Sequence, residues 1–189
     1  MEKLKLGFAV TGSFCTFEKV IKALGELTDQ YDITPIMSFS SYACDTRFGA
    51  AETFRKTVEG LCGKKIIADI PAAEPIGPKK LFDVLVIAPC TGNTLAKIAN
   101  GIADTPVTMA VKSHIRNEKP VVLAISTNDA LAGNAKNIGE LLNRRNFYFV
   151  PFGQDNPMGK PRSAVADMEK ISAAVEAAVN GKQIQPILL

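Results

Sequence analysis

The sequence predicts a doubly wound α/β fold of the Rossmann type, with a six-stranded parallel sheet and helices on both faces. Three observations predict it. The runs LKLGFAVT, FDVLVIAP and PVVLAIS read as strands, and the last two are near-unbroken apolar runs with β-branched residues, as in strands covered on both faces. The first two lead directly, and the third after a short loop, into segments whose apolar residues recur at helical spacing. Such alternation builds a parallel sheet with right-handed crossovers. The 189 residues suit a single domain, 1–189, large enough to bury a sizeable core.

The elements follow in order. Leu4 to Thr11 reads as the first strand, Gly12-Ser13 as its turn, and a helix runs to about Thr28 with Phe17, Val20, Ile21, Leu24 and Leu27 buried. Ile33 to Phe39 is a second strand leading into Ser40-Ser41, and a helix covers about Arg47 to Gly60. Lys64 to Ile70 reads as a third strand, and the proline-rich Pro71 to Pro78 as a loop. Residues 82–88 form the fourth strand, and Leu95, Ile98, Ala99 and Ile102 mark one face of the helix after it. A helix near Pro106 to Arg116 carries proline in its first turn. Pro120 to Ser126 is the fifth strand, Asn134 to Arg145 a helix and Phe147 to Phe152 the sixth strand. Gly153 to Pro161 is a turn-rich loop, and Ser163 is expected to cap a final helix, Ala164 to Val179. The tail ends in Ile-Leu-Leu, which, if exposed, favours docking on a neighbouring subunit.

Composition narrows the function classes. A net charge of +3 without any Lys/Arg run gives no footprint for nucleic acid. No apolar stretch approaches the roughly 20 residues that span a bilayer. Cys15, Cys44, Cys62 and Cys90 form no CxxC pair, and His114 is the sole histidine, so neither zinc nor a disulfide framework is expected. A reducing cytoplasm suits such a chain.

The chemistry-bearing stretch is Cys90-Thr91-Gly92-Asn93-Thr94, between a buried strand and a helix. Unpaired N–H groups and the helix dipole make such a turn attractive to an anion. With strand order 3-2-1-4-5-6, the loops after strands 1 and 4 meet at the switch point, so Gly12-Ser13 and Cys90–Thr94 converge. The turn Val10-Thr11-Gly12-Ser13-Phe14-Cys15 lacks the G-x-G-x-x-G of a dinucleotide site. Where such a site carries an acid after strand 2, this chain has Ser38-Phe39-Ser40-Ser41. Hydroxyls donate to a phosphate and a carboxylate repels it, so three hydroxyl-bearing turns suit a monophosphate. The plainer reading is that these Ser and Thr only cap helices.

Other residues have competing readings. Cys15 and Cys90 begin helices at the same crevice, where a thiol is either activated or merely small and well packed. Asp129 reads as a base or as a surface acid, and His114 as a general acid–base group or, more simply, as a solvated or interface residue. Arg47, Lys160 and Arg162 are cations near the expected mouth, able to pair with carboxylates.

Gly12-Ser13 before a helix, the run Ala88-Pro89-Cys90-Thr91-Gly92-Asn93-Thr94 and the segment Gly101-Ile102-Ala103-Asp104 resemble the homo-oligomeric flavoproteins that include flavin-dependent cysteine decarboxylases. Gly153 through Arg162 resembles the closing region of that family, so the likeness spans nearly the whole chain. The resemblance implies FMN as cofactor. Its phosphate would lie between Ser13, Ser38 or Ser40, and Thr91 with Asn93 and Thr94; Gly12 and Pro89 would shape the turns. Ser126, Thr127 and Asn128 would stand near the flavin ring or substrate. It also implies a homo-oligomer, a trimer or higher. Within the family the likeness is greatest to the smaller subunit of a two-subunit synthase, which works with a larger nicotinamide-dependent partner on a lysine-pathway precursor. The chain departs from the decarboxylases in two places. Ser41 to Phe48 holds no histidine, and Ser126-Thr127-Asn128-Asp129 replaces P-A-M-N. Cysteine-type decarboxylation is therefore disfavoured; an independent FMN-dependent decarboxylase and a non-catalytic binding subunit are the alternatives.

Overall fold

The computed structural model describes residues 3–189. Strands β1 (Leu4–Val10), β2 (Tyr31–Met37), β3 (Val84–Cys90) and β4 (Val121–Thr127) form the parallel centre of a seven-stranded sheet, in the order β2-β1-β3-β4. The apolar runs end where polar loops begin, and β3 is buried along its whole length. Beyond β4 the sheet divides. The first half of β4 pairs in parallel with β5 (Phe147–Phe149), and its last residues pair antiparallel with β7 (Ala164–Ala166), which pairs with β6 (Phe152–Gly153).

Helices cover the sheet: α1 (Phe17–Leu27), the short α2 (Phe39–Ala43), α3 (Ala51–Cys62), the single turn α4 (Ile70–Ala73), α5 (Gly92–Ala99), α6 (Pro106–Ile115), α7 (Ala135–Leu142) and α8 (Ile171–Val179). Helix α1 buries Phe17, Val20, Ala23, Leu24 and Leu27, whereas Ile21 is only partly covered. Side chains such as Leu6, Phe8, Leu85, Ile87 and Leu123 are fully enclosed, each stabilising the fold by about 1.5–3 kcal/mol relative to exposure. A Lys97–Asp104 ion pair at 2.8 Å ties the loop after α5 back onto that helix.

The α/β class and the central strand order agree with the sequence, but the expected six strands are seven, arranged differently at both edges. Residues 64–70 form no strand. Ile67 alone bridges to Ile36, with its N–H donating to Pro35 O at 2.9 Å and its carbonyl accepting from Met37 N–H at 3.0 Å. The run stops because Asp69 accepts from Ala72 N–H at 2.7 Å and starts α4, so part of the expected loop 71–78 is helical. The expected strand 147–152 breaks at Val150-Pro151, and Phe152 turns to pair with Ala166. Ala164–Ala166 is therefore a strand, not the start of the last helix. Its helix-forming alanines are overridden by sheet pairing, and α8 starts at Ile171.

Ser163 is not the cap of that helix; its hydroxyl donates to Asp155 Oδ1 at 2.6 Å. Helix α3 starts at Ala51 and ends at Gly63, whose φ of 63° is the left-handed conformation that glycine adopts without strain. Ile102 lies past the end of α5 and is 47% exposed. His114 is fully buried rather than solvated. The tail also pairs within the chain: Phe152 N–H donates to Ile187 O and Leu189 N–H to Phe152 O, both at 3.0 Å.

Candidate functional site

The carboxyl ends of β1, β3 and β4 open onto a cavity of about 390 Å³, lined by the turns after those strands and by the β6–β7 connection. Thr11, at the end of β1, sets the spacing of the first two turns. Its hydroxyl donates to Pro89 O at 2.7 Å and accepts from Thr91 N–H at 3.0 Å. The register between β3 and β4 shifts between Ile87 and Cys90, and this irregularity carries the chain over into α5. Thr91 then caps α5, accepting from Thr94 N–H at 3.3 Å while donating to the Thr94 hydroxyl at 3.1 Å.

Ser13 reaches across the mouth of the sheet, and its Oγ lies 2.7 Å from Ser126 Oγ at the end of β4. Beyond Ser126, Thr127 donates to Asp129 Oδ1 at 2.5 Å, and Asn134 Nδ2 donates to Asp129 Oδ2 at 2.8 Å. Asn137 in turn donates to Asn134 Oδ1 at 2.8 Å. The Asp129 carboxylate is thus held on both oxygens beside the first turn of α5. This packing requires glycine at position 92, because a Cβ there would stand 2.5 Å from both Asn134 Nδ2 and Thr127 Oγ1. On the opposite wall, Ser163 and Lys160 flank Asp155. The Ser163 hydrogen bond first, then a backbone hydrogen bond and the charge of Lys160, hold the Asp155 carboxyl below its ordinary range.

Six of the sequence-selected residues line this one cavity: Gly12, Ser13, Thr91, Asn93, Ser126 and Asn128. Thr127, Asp129, Cys15 and Lys160 join them. Ser38, Ser40, Pro89 and Thr94 do not line it. Ser38 caps α2, accepting from Ser41 N–H at 3.2 Å, so the capping reading holds for Ser38 as it does for Thr91. Ser40 stands at the rim, where its Oγ would be 2.9 Å from a Cβ on Gly12. Pro89 contributes a carbonyl to Thr11, and the Thr94 hydroxyl is turned to Thr91.

Cys90 is fully enclosed and burial pushes its thiol well above the ordinary range, so it is a packing residue. Neither Arg47 nor Arg162 reaches the cavity; the Arg47 guanidinium lies 4.9 Å from the Phe48 ring centroid. Sequence reasoning missed Thr11, Asn134, Asp155 and Ser163. The run Thr127-x-Asp129 followed by Asn134 was the available signal for a held carboxylate, whereas Asp155 and Ser163 meet only through the β6–β7 pairing.

The residues fit a monophosphate with a polar ring system. Hydroxyl and amide donors from Ser13 and Asn93 gather beside the helix start that Thr91 caps, and Asn128 lines the same cavity. Fixed carboxylates occupy the remaining walls.

Comparison with known proteins gives three consistent results. The profile of the family described as Flavoprotein matches residues 1–180. The B subunit of dipicolinate synthase from Bacillus subtilis (strain 168) is 45% identical over 186 residues, covering 98% of this chain and 93% of that protein. Among solved structures, the B subunit of dipicolinate synthase from Bacillus halodurans C superposes with a TM-score of 0.90 at 43% identity, covering 98% of this chain and 96% of the other. The FMN-dependent cysteine decarboxylase SpaF shares the fold, with a TM-score of 0.65 at 24% identity over 94% of this chain and 97% of the other.

Proposed function

The chain belongs to the flavoprotein family, and from that membership we propose that it serves as the B-type subunit of a dipicolinate synthase. In this reading it acts with the larger, A-type subunit of that synthase, a nicotinamide-dependent partner, to form dipicolinate from a lysine-pathway precursor in the mother-cell cytoplasm of a sporulating bacterium. The carrying observation is the 45% identity to the Bacillus subtilis B subunit along 98% of the chain. FMN is the proposed ligand of the cavity. Its phosphate would be held by Ser13 and Asn93 at the turn that Thr91 caps, with Ser40 at the rim and Ser126 and Asn128 toward the ring. A bound flavin supplies two-electron redox chemistry or an electron sink. The residues of this chain bind and orient it, and Asp129, held on both oxygens, is placed to accept a hydrogen bond or proton from a ligand. We further propose a homo-oligomer, trimeric or higher.

An independent cysteine-type decarboxylase finds less support, because Ser41 to Phe48 contains no histidine and the only histidine, His114, is buried in α6.

The test is reconstitution with the purified A-type partner. Dipicolinate should form only with both proteins present, and Ser13→Phe or Asn93→Phe should reduce its formation by roughly tenfold or more, as expected when a ligand is displaced from its positioning groups. Undiminished formation with either variant would remove the cavity from catalysis and leave a binding subunit. Flavin released by heat from the purified chain would support the cofactor assignment.

A further inference from the structure

At the other end of the sheet, where the parallel strands begin, the chain has a second hollow of about 480 Å³. Its floor is apolar: Ile98 from α5, Val111 and Ile115 from α6, and Phe147 at the start of β5. Ile102 stands at this hollow with 47% of its surface exposed, although nothing in the cavity at the carboxyl ends requires it there. Three cations line the same hollow, Lys112, Arg144 and Arg145, and no carboxylate does. Arg144 has internal duties, donating to Ala99 O at 2.7 Å and to Glu140 at 2.9 Å. Lys112 and Arg145 form no ion pair among the described residues, although acids elsewhere on the surface are paired repeatedly.

An apolar floor beside unpaired cations is complementary to an apolar segment flanked by carboxylates. A twofold contact of this face with a second copy would set Lys112 and Arg145 against cations of the same kind, and the head-to-tail contact of a trimer would need an acidic, apolar face elsewhere on the chain to meet it. We infer that this hollow is the docking site for the larger partner of the synthase, through a segment that places aliphatic or aromatic side chains beside Asp or Glu. This rests on the partnership proposed above. It would leave the cavity at the opposite ends of the strands facing away from the docked segment.

The test is titration of the intact chain with the purified A-type partner of dipicolinate synthase, comparing the parent with Lys112→Glu/Arg145→Glu and with Ile102→Asp. All three substitutions lie at exposed positions, so the melting temperature should not move. The expected result is a dissociation constant raised roughly tenfold or more by the charge reversal, with a flatter salt dependence, and weakened also by Ile102→Asp. An unchanged constant for both variants would place the partner elsewhere and overturn the docking site while the partnership stands. Absence of any complex with the parent chain would overturn the partnership, and the docking site with it. If the chain alone sediments as an oligomer that the charge reversal dissociates, the occupant is a second copy and the inference fails.

Discussion

Ser13 and Ser126 place their hydroxyl oxygens 2.7 Å apart although 113 residues separate them. Two hydroxyls in contact share one proton between them and keep the other free, so the pair retains a donor for an anion. Replacing Ser126 with Ala is expected to cost about 0.5–1.5 kcal/mol of stability and a few-fold in FMN affinity. Denaturant titration and flavin fluorescence quenching read the two effects. Unchanged flavin affinity in both Ser126→Ala and Ser13→Ala would remove the pair from the ligand's contacts.

Gly92→Ala should be more damaging than its exchange of one hydrogen for a methyl suggests. The new Cβ would meet Asn134, Thr127 and the Asp129 carboxylate, all closer than 3.0 Å. Overpacking of this kind costs about 1–3 kcal/mol. The measurable outcome is a lower denaturation midpoint together with weakened ligand binding. Parent-like values for both would show that Asp129 and Asn134 are free to withdraw.

Thr11→Val keeps the shape of the side chain but strands two partners, Pro89 O and Thr91 N–H, at the base of the ligand loop. A loss of about 1–3 kcal/mol follows from leaving buried polar groups unpaired. Hydrogen exchange at Thr91 should rise sharply in the variant, and equal protection would count against the bridging role.

His114 makes stability depend on pH. Burial lowers its pKa from 6.5 to about 4, and Nδ1 has no partner while Nε2 lies 3.1 Å from Pro120 O. A proton therefore binds the unfolded chain more readily than the folded one. Stability is full above the unfolded value and declines as pH falls from 6.5 toward 4, by up to about 3 kcal/mol. Urea unfolding at pH 7 and pH 5 should show this slope in the parent and a flatter one in His114→Leu. Equal slopes would reject the assignment.

Much of this was legible in the chain itself because buried strands write their burial on both faces. FDVLVIAP has no polar residue after Asp83 to mark an exposed side, and β3 is accordingly enclosed throughout. Ser13, Thr91 and Asn93 could be placed together because the order of the central strands brings their loops to one end, whereas Ser126 and Asn128 were placed beside them by the family resemblance alone. The far edge was not legible. Ala164 and Ala166 have helical preference in isolation, and only Phe152, Gly153 and the end of β4 across from them make a strand of that segment. The same pairing brings Ser163 to the wall with Asp155, so both escaped notice. His114 misled for the opposite reason: charged neighbours in KSHIRNEK suggest exposure, yet one face of α6 turns inward against Phe82.

The antiparallel return of β7 along Ser126 and Thr127 has a consequence for how the protein is made. During synthesis β1, β3 and β4 are complete before the wall carrying Asp155, Ser163 and Val165, which follows 28 to 38 residues after Thr127. A nascent chain therefore presents an unfinished pocket, and ligand capture becomes a report on completed folding. Once captured, a ligand at 100 times its dissociation constant would add about 2.7 kcal/mol to the whole fold. Cofactor supply in the cell would then set how much of the finished protein survives proteolysis.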